Sequence, residues 1–297
     1  RLKKYQPTLQ CSISITDSLA LEQAKRADEE IKNGKYRGIL HGIPYGTKDL
    51  MAVPGYPTTW GAAPYKDQFI NETATVVKKL EEAGAILVAK LVSGALARGD
   101  VWFDGKTKNP WDTTQGASGS SAGSGSATSA GLVPFALGTE TLGSITSPST
   151  RNGVTGLRPT YGRVSRHGVM SLSWSMDKVG PLGRNAEDCA IVFEAIQGKD
   201  ENDLTTVDLT FGVDWKKDYK NLRVAYLKKD IEKDTTESGK NLRNALKSLK
   251  EMGIEPTAVE MPEAVPYRGF DIILRAEAGA FFDELVRSGG VDIMVEQ

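Results

Sequence analysis

The sequence predicts an α/β fold from two observations. Amphipathic helical segments alternate with short apolar segments of strand length, which is the pattern of α/β proteins. The clearest case is a helix predicted at residues 73–83, which ends at Gly84 before a strand at 85–89. The face of this helix that points inward is predicted to carry Val76, Val77, Leu80 and Ala83. The composition agrees, because 297 residues with 39% hydrophobic and 25% charged residues describe an ordinary globular protein.

Charge and composition exclude several functional classes. The net charge is −1 and the charges are dispersed, so no basic surface for nucleic acid is expected. No apolar run approaches the roughly 20 residues that a membrane helix needs, so no membrane partner is expected either. Cys11 and Cys189 are too few for a disulfide framework and favour a reducing compartment. We therefore expect a cytoplasmic protein, although a chain that starts at Arg1 is also compatible with a removed signal peptide.

The remaining elements follow in order. A strand is predicted at Ser12–Ile15, then a helix from Asp17 that ends at Gly34, then an apolar strand over Gly38–Leu50 that carries Lys48. After residue 198 the chain becomes polar, which predicts a surface connection over 199–221 between a core at 1–198 and an α/β remainder at 222–297. That remainder is predicted to hold a strand at 222–227, a helix at about 268–288, and between them a helix whose inward residues are Leu242, Ala245, Leu246, Leu249 and Met252.

The most informative stretch is Gln115–Ser147, where a serine and glycine run joins an apolar segment that ends in a second serine turn at Gly143–Ser144. Such a run is usually a flexible linker. Here apolar residues follow that must be buried, which a linker does not explain: Ala127, Ala130, Leu132, Val133, Phe135, Ala136 and Leu137. Small residues also let backbone N–H groups surround a reacting atom. The stretch is therefore a candidate active site, with its other serines expected to shape a loop.

Two other motifs in this region meet the requirements of their patterns only in part. Gly119–Gly123 satisfies the G-x-S-x-G pattern around Ser121, but that nucleophile elbow needs a preceding strand, and residues 106–112 are polar with a proline. Only His167 lies downstream to complete a triad. Gly105-Lys106-Thr107 looks like the end of a phosphate loop, but five residues separate it from Gly99 where the motif has four.

Three segments resemble the amidase signature family. Residues 38–50 resemble its P-L-H-G-I-P-x-x-x-K-D segment, and 139–146 resemble its T-D-x-G-G-S-I-R turn. Residues 153–165 match its G-L-K-P-T-Y-G-R-V-S segment almost letter for letter. The resemblance extends from about residue 13 to 198. It implies a mixed β-sheet core covered by helices on both faces, with a C-terminal part of the family fold missing from this chain.

The resemblance also implies a reaction, the hydrolysis of a carboxylic amide C–N bond through an acyl-serine intermediate. Ser144 would be the nucleophile, Ser120 the serine that follows a cis peptide bond and relays the proton, and Lys48 the base. For Lys48 to act as a base, its pKa must fall from about 10.4 through burial. The implied oxyanion donors are the backbone N–H groups of Thr141, Leu142, Gly143 and Ser144. No cofactor or metal is implied.

Some positions depart from the family pattern. Substrate contacts are implied for Ser121, Gly94 and Thr146, yet Thr146 replaces an arginine that in some members holds a substrate carboxylate. We therefore disfavour small dicarboxylic amides. Leu142 replaces a glycine and could narrow the acyl site, and Glu140 replaces an aspartate with a structural role. His41 is interpreted as a structural hydrogen-bonding residue because it lies outside the catalytic motifs.

Three functions stay open at this stage. The first is an amidase that acts on a small-molecule amide, with a homo-oligomer compatible with the sequence. The second is the glutaminase subunit of a tRNA-dependent amidotransferase, against which the changes at Leu142 and Thr146 weigh. The third is a non-catalytic relative that keeps only the fold.

Overall fold

A computed structural model describes residues 1–214, 216 and 218–295. The chain forms two compact units, one made of Arg1–Phe211 together with the residues from 271 onward, and the other of Gly212–Phe270. The division differs from the predicted boundaries, since residues 199–211 and those after 270 belong to the first unit. Asp203 and Thr206, predicted to lie on a surface connection, are buried there.

The first unit is built from ten strands and six helices before residue 212, among the residues described. Its strands are β1 (Ser12–Ile15), β2 (Pro44–Lys48), β3 (Ile86–Leu91), β4 (Val101–Trp102), β5 (Gly105–Lys106), β6 (Lys108–Asn109), β7 (Asp112–Gly116), β8 (Phe135–Glu140), β9 (Thr155–Gly156) and β10 (Lys178–Gly183). Its helices are α1 (Leu2–Leu9), α2 (Asp17–Lys32), α3 (Thr75–Glu82), α4 (Ala122–Ser129), α5 (Thr146–Asn152) and α6 (Ala186–Ile196).

Six of these strands form one mixed sheet in the order β1-β3-β2-β8-β10-β9. Strand β2 runs parallel to both of its neighbours, β3 and β8. The outer pairs β1 with β3, β8 with β10 and β10 with β9 are antiparallel. Lys48 is therefore the last residue of an interior strand, and the turn that carries Ser144 (residues 141–145) follows the parallel neighbour β8 at the same edge of the sheet.

Helices cover the sheet on both faces, as predicted. On one face, α3 and α6 contribute Val77, Leu80 and Ile196 to a core with Leu87 and Leu137. The other face is narrower and lined by small side chains, where α1 and α4 pack over a core of Leu2, Leu9, Cys11, Ala89, Leu91, Ala127, Val133 and Ala136. Neighbouring residues of β8 alternate between the two cores, which is the two-residue period of a strand.

The serine-rich stretch is partly a helix, which corrects the loop prediction. Helix α4 is buried from Ala122 to Thr128, and the apolar segment does not become a strand until Phe135. Three serine hydroxyls of the helix donate to main-chain carbonyls of neighbouring segments: Ser124 to Leu137, Ser126 to Lys108 and Ser129 to Asn152. These tertiary hydrogen bonds and close packing explain a helix in a sequence of low helical propensity.

Other boundaries also differ from the prediction. The strand predicted over Gly38–Leu50 is confined to Pro44–Lys48, because the preceding residues form turns. Helix α3 begins at Thr75 rather than 73, since Ala74 N–H still donates to Ala52 O. Its predicted inward residues Val76, Val77 and Leu80 are buried.

The second unit contains β11 (Ala225–Leu227), β12 (Thr257–Val259), α7 (Lys228–Glu232) and α8 (Glu237–Glu251). Strands β11 and β12 are parallel. The predicted inward face of α8 is largely exposed, with Leu242 and Met252 exposed and only Leu246 and Leu249 half-buried. Two strands of three residues and one five-residue helix offer little surface to cover such a face.

The helix predicted at about 268–288 is broken at Phe282 into α9 (Gly269–Phe281) and α10 (Asp283–Arg287). Phe282 and Leu285 pack into a third core with Leu50 and Met170, which belongs to the first unit. Across the described residues, no helix has the length and apolarity needed to cross a membrane.

We predict that Gly123 of α4 tolerates no side chain. A Cβ there would lie 2.3 Å from both Cys11 O and Val92 N, which are main-chain atoms of the sheet edge and cannot move cheaply. Gly123→Ala should lower the free energy of unfolding by about 1–3 kcal/mol. In the control Gly279→Ala, on α9, a Cβ meets nothing within 4 Å, so stability should rise by about 0.5–1 kcal/mol. Urea denaturation measures both, and equal stability of the two variants would contradict the packing described.

Candidate active site

Lys48 is fully buried and is held by two hydroxyl groups. Its Nζ donates to Ser120 Oγ at 2.7 Å and to Thr139 Oγ1 at 2.8 Å. Its side chain has no exposed surface. Neither partner carries a charge that would compensate an ammonium, so burial lowers the pKa of Lys48 to about 7, against a smaller opposing effect of the Asp177 and Glu140 carboxylates. The amine is therefore held in a form that can accept a proton near neutral pH.

A second buried lysine provides the contrast. Lys90 Nζ lies 2.7 Å from Asp49 Oδ1, and both side chains are inaccessible to solvent. It also donates to Pro57 O and Thr58 Oγ1, each at 2.6 Å. Burial lowers the pKa of Lys90, and the Asp49 charge opposes that shift. Lys90 thus forms a buried ion pair, whereas Lys48, on the adjacent strand of the same sheet, has no bonded carboxylate in the part of the chain that the structure describes.

Ser120 is delivered to Lys48 by the tight turn that precedes α4. The Gly119–Ser120 peptide bond is cis, as the family resemblance implies. Gly119 is packed so closely that a Cβ would lie 1.7 Å from Gly99 O. Ser120 itself is buried and its carbonyl accepts a hydrogen bond from Gly94 N–H at 3.1 Å. Small residues are thus required on both sides of the turn.

Ser144 lies in the turn that connects β8 to α5 and is partly exposed. The preceding Gly143 has a φ of +96°, a conformation that strongly favours glycine. Leu142 has no positive φ and its side chain is 49% exposed, so the turn accepts a side chain where the family has a glycine. The serine segment and this turn are joined by Ser121 N–H, which donates to Ser144 O at 3.1 Å. No hydrogen bond joins the Ser120 and Ser144 hydroxyls within the described residues.

Glu140 fixes the far side of the same turn. Its Oε2 accepts from Ile145 N–H at 2.8 Å, from Thr146 N–H at 2.9 Å and from the Thr146 hydroxyl at 3.1 Å. The structural role expected of Glu140 agrees with these contacts. In the described part of the chain, the N–H groups of Leu142, Gly143 and Ser144 donate to no protein acceptor. They are the donors that such a turn could offer to a developing oxyanion.

The three residues predicted to contact the substrate make contacts with other residues of the protein. Ser121 is buried, and its hydroxyl bridges Thr139 O at 3.1 Å and Thr139 N–H at 3.2 Å. A Cβ on Gly94 would lie 1.9 Å from Gly99 O, so this position allows close backbone packing. The Thr146 hydroxyl is taken by Glu140. Their contact with a substrate stays a prediction.

The elbow alternative around Ser121 meets one unexpected feature. A strand, β7, does precede the segment, contrary to the prediction from its polar sequence. It pairs only with β6, outside the central sheet. Since the Ser121 hydroxyl is buried and bonded to the main chain of Thr139, it is not presented as an elbow nucleophile would be.

Both histidines lie in other networks. His41 accepts from Arg37 N–H at its Nδ1 and has Nε2 at 3.2 Å from Glu30, which agrees with the structural interpretation. His167 Nε2 lies 2.7 Å from Glu72. The two cysteines are buried free thiols, and burial raises the pKa of Cys11 to about 12. Among the residues described, no three His, Cys, Asp or Glu side chains are grouped to hold a metal ion.

Sequence reasoning misses two residues of the site. Thr139 is the second partner of Lys48, and Asp177 accepts a hydrogen bond from Thr141 in the turn that carries Ser144. Both lie in segments that resemble the family, but no motif assigns a role to either side chain. The alternation of β8 could have placed Thr139 next to the buried lysine, because β2 and β8 are adjacent parallel strands.

Comparisons with known proteins give a consistent result. The family model described as Amidase matches residues 1–286. The chain is 37% identical over 303 residues to a glutamyl-tRNA(Gln) amidotransferase subunit from Staphylococcus haemolyticus, covering 98% of this chain and 61% of that protein. The chain thus spans about three fifths of the length of the curated relatives that it matches.

Two solved structures extend the comparison. The peptide amidase of Stenotrophomonas maltophilia is 30% identical with a TM-score of 0.83, over 96% of this chain and 62% of that one. A glutamyl-tRNA(Gln) amidotransferase subunit from Thermotoga maritima is 30% identical with a TM-score of 0.82, over 98% of this chain and 64% of that one.

We predict opposite effects of removing the two buried lysines. Lys90→Met leaves the Asp49 carboxylate buried without its partner and should cost about 3–5 kcal/mol of stability. Lys48→Met leaves only two hydroxyls and should be at least as stable as the wild type at pH 7.

The difference should also depend on pH. The pKa of Lys48 is about 7 in the folded protein and about 10.4 in the unfolded chain. Between about pH 7 and pH 10.4, Lys48 is therefore protonated to a greater extent in the unfolded chain than in the folded protein. Wild-type stability therefore rises with pH there, and the relative gain of Lys48→Met should shrink toward about pH 10. Urea unfolding at several pH values tests this, and a constant difference would contradict a neutral Lys48.

Proposed function

The chain belongs to the amidase family, and from that premise we propose that it hydrolyses the C–N bond of a carboxylic amide with Ser144, Ser120 and Lys48. The products would be an acid and an amine or ammonia. The observation that carries the proposal is the 2.7 Å hydrogen bond between Lys48 Nζ and Ser120 Oγ, two side chains that are buried from solvent. A buried amine with hydroxyl partners and no bonded carboxylate is suited to take a proton from a serine.

The accessibility of the three side chains decreases in the order in which they would act. Ser144 is partly exposed and would attack the carbonyl carbon, while Ser120 and Lys48 are buried behind it. Ser120 would accept the proton of Ser144 and pass its own proton to Lys48. The hydroxyls of Ser120 and Ser144 must approach each other in the reactive complex, as catalytic hydrogen bonds often tighten when substrate binds.

The tetrahedral intermediate carries a negative oxygen that needs donors. The backbone N–H groups of Leu142, Gly143 and Ser144 are the proposed donors, together with that of Thr141, which begins the turn. In comparable enzymes one such donor contributes about 3 kcal/mol to the transition state. The positive φ of Gly143 supports this role, because it turns successive N–H groups without a side chain in the way.

Breakdown of the intermediate requires an acid. Lys48, now protonated, would return its proton through Ser120 to the leaving nitrogen, which departs as an amine or ammonia and leaves an acyl ester on Ser144. Water would then attack the ester with the same groups as base, releasing the acid and restoring the serine. The protons balance over the cycle, and the lysine ends as it began.

Two residues near Ser144, Thr146 and Leu142, bear on the class of substrate. Thr146 stands where some family members have an arginine, and its hydroxyl is bonded to Glu140. This supports the expectation that small dicarboxylic amides are poor substrates. The half-exposed Leu142 beside Ser144 adds apolar surface at the mouth of the site, which favours amides with an apolar portion.

A second function is favoured by the identity to proteins named as subunits of glutamyl-tRNA(Gln) amidotransferases. In that case the substrate is glutamine, and the ammonia passes to a partner protein. Release of ammonia from glutamine only when the partner proteins are added would favour this function over an independent amidase.

We predict that a fluorophosphonate probe labels the protein at Ser144 and that Ser144→Ala abolishes the labelling. The control is Ser147→Ala, the next serine along the chain and an exposed one, which should keep the labelling. Peptide mapping by mass spectrometry identifies the modified residue. Labelling that survives in Ser144→Ala would refute the nucleophile assignment, and a wild-type protein that never reacts would favour the non-catalytic relative.

A further inference from the structure

Asp177 lies between the turn that carries Ser144, at residues 141–145, and a turn at residues 172–176. Its Oδ1 accepts from the Thr141 hydroxyl at 2.5 Å. Its Oδ2 accepts from Leu172 N–H at 2.7 Å and from Ser173 N–H at 2.9 Å. The residue is 9% exposed. One buried acid thus joins two turns through three hydrogen bonds.

The turn at 172–176 is itself held by the helix α9. Glu277 Oε2 accepts from the Ser173 hydroxyl and, at 3.1 Å, from Ser175 N–H. Glu277 is the buried residue of α9, again at 9% exposure. Asp177 and Glu277 therefore hold the same short turn from two sides, and Ser173 contacts both.

Thr141 is fixed a second time through its main chain. Lys178 Nζ donates to Thr141 O at 3.0 Å. Thr141 is the first residue after β8 and is 5% exposed. With its hydroxyl on Asp177 and its carbonyl on Lys178, the orientation of the peptide that leads to Leu142 is set from outside the turn. That peptide carries the N–H of Leu142, one of the groups proposed as oxyanion donors.

We propose that Asp177 is a positioning residue for the oxyanion donors, and that Glu277 on α9 fixes the turn that holds Asp177. This inference rests on the proposed function, because it assigns a task only if the N–H groups after Thr141 bind an oxyanion. Asp177 does not touch the reacting atoms and acts through Thr141.

The chemistry of the contacts explains why a carboxylate suits this place. All three partners of Asp177 are donors, and an ionised carboxylate accepts from all of them in short, charge-assisted bonds. An asparagine has only one acceptor oxygen, so its NH₂ group would face a donor. Either the Thr141 side or the 172–173 side of the clamp must then open. Donors displaced by even about 0.5 Å lose catalytic effect.

Asp177 has a second effect that separates it from a purely structural residue. The charged groups that face Lys48 are Asp177 and Glu140, and both carboxylates hold the pKa of Lys48 up against the effect of burial. The Asp177 charge also acts on Lys178 and Arg166, and its contribution raises the pKa of both cations. Asp177→Asn removes one negative charge from Lys48, so the pKa of Lys48 should fall. Thr141→Val leaves that charge in place.

The experiment measures the rate of fluorophosphonate labelling of Ser144 against probe concentration and pH. The phosphonyl oxygen takes the position of the oxyanion in this reaction. Thr141→Val and Asp177→Asn should each lower the limiting labelling rate about ten- to a hundredfold with little change in the probe concentration at half-saturation. Only Asp177→Asn should move the pH midpoint, and it should move it downward. Glu277→Gln should give a smaller loss of rate with no shift of midpoint.

Controls and outcomes keep the inference separate from the proposed function. Asp188→Asn makes the same chemical change at an acid that accepts from Arg184 N–H near the start of α6, and it should leave the labelling unchanged. If the wild type reacts and both Thr141→Val and Asp177→Asn react as fast as the wild type, the positioning role is refuted while the amidase proposal stands. If the wild type itself does not react, both fail. Should Asp177→Asn not fold, Thr141→Val alone decides, and a normal rate in that variant overturns the proposal.

Discussion

A buried lysine whose hydrogen-bond partners are hydroxyl groups is the constraint on which this site depends. An ammonium in the protein interior is costly, and a protein meets that cost by pairing the charge or by letting the group lose its proton. Lys90 follows the first course with Asp49, whereas burial beside two hydroxyl partners lowers the pKa of Lys48 to about 7. Two lysines at the ends of adjacent parallel strands therefore have different chemistry, and the difference lies entirely in their partners.

The fold meets this constraint by bringing together segments that are distant along the chain. Ser120 and Thr139 lie 72 and 91 residues after Lys48. The interior position of β2 keeps water away from its last residue, and the neighbouring strand β8 supplies Thr139. The packing of α4 against the sheet fixes the position of Ser120, which lies just before this helix. Gly123 and Gly119 are needed because main-chain atoms occupy the space of a side chain at both positions. The site is thus a consequence of close packing on one face of the sheet.

The alternation of helical and strand-length segments is enough to predict the α/β class. The mixed sheet and the proximity of Lys48 to Ser120 are implied by the family resemblance, which is carried by short motifs with strong residue requirements. They fail where tertiary contacts decide. The sequence of helix α4 predicts a loop, since its serines favour helices only when neighbouring carbonyls accept their hydroxyls. The contact of Thr139 with Lys48 depends on the pairing of two strands. The contact of Asp177 with Thr141 joins two turns that are distant along the chain. A short motif contains neither kind of information. Helix α8 gives a second example. Its periodicity predicts an apolar face correctly, but periodicity does not tell which element covers that face, and in the structure the face is largely exposed.

The pH dependence of Ser144 phosphonylation tests the central claim most directly, because it reports the base without requiring the natural substrate. With a neutral Lys48 as base, the labelling rate should rise with pH through a midpoint near the pKa of Lys48, about 7. This rise of the labelling rate with pH should persist in His41→Ala and His167→Ala. In Lys48→Ala, both the rise and most of the labelling rate should be lost. A Lys48→Ala protein that reacts at the wild-type rate with an unchanged midpoint would contradict the account, and with it the relay through Ser120.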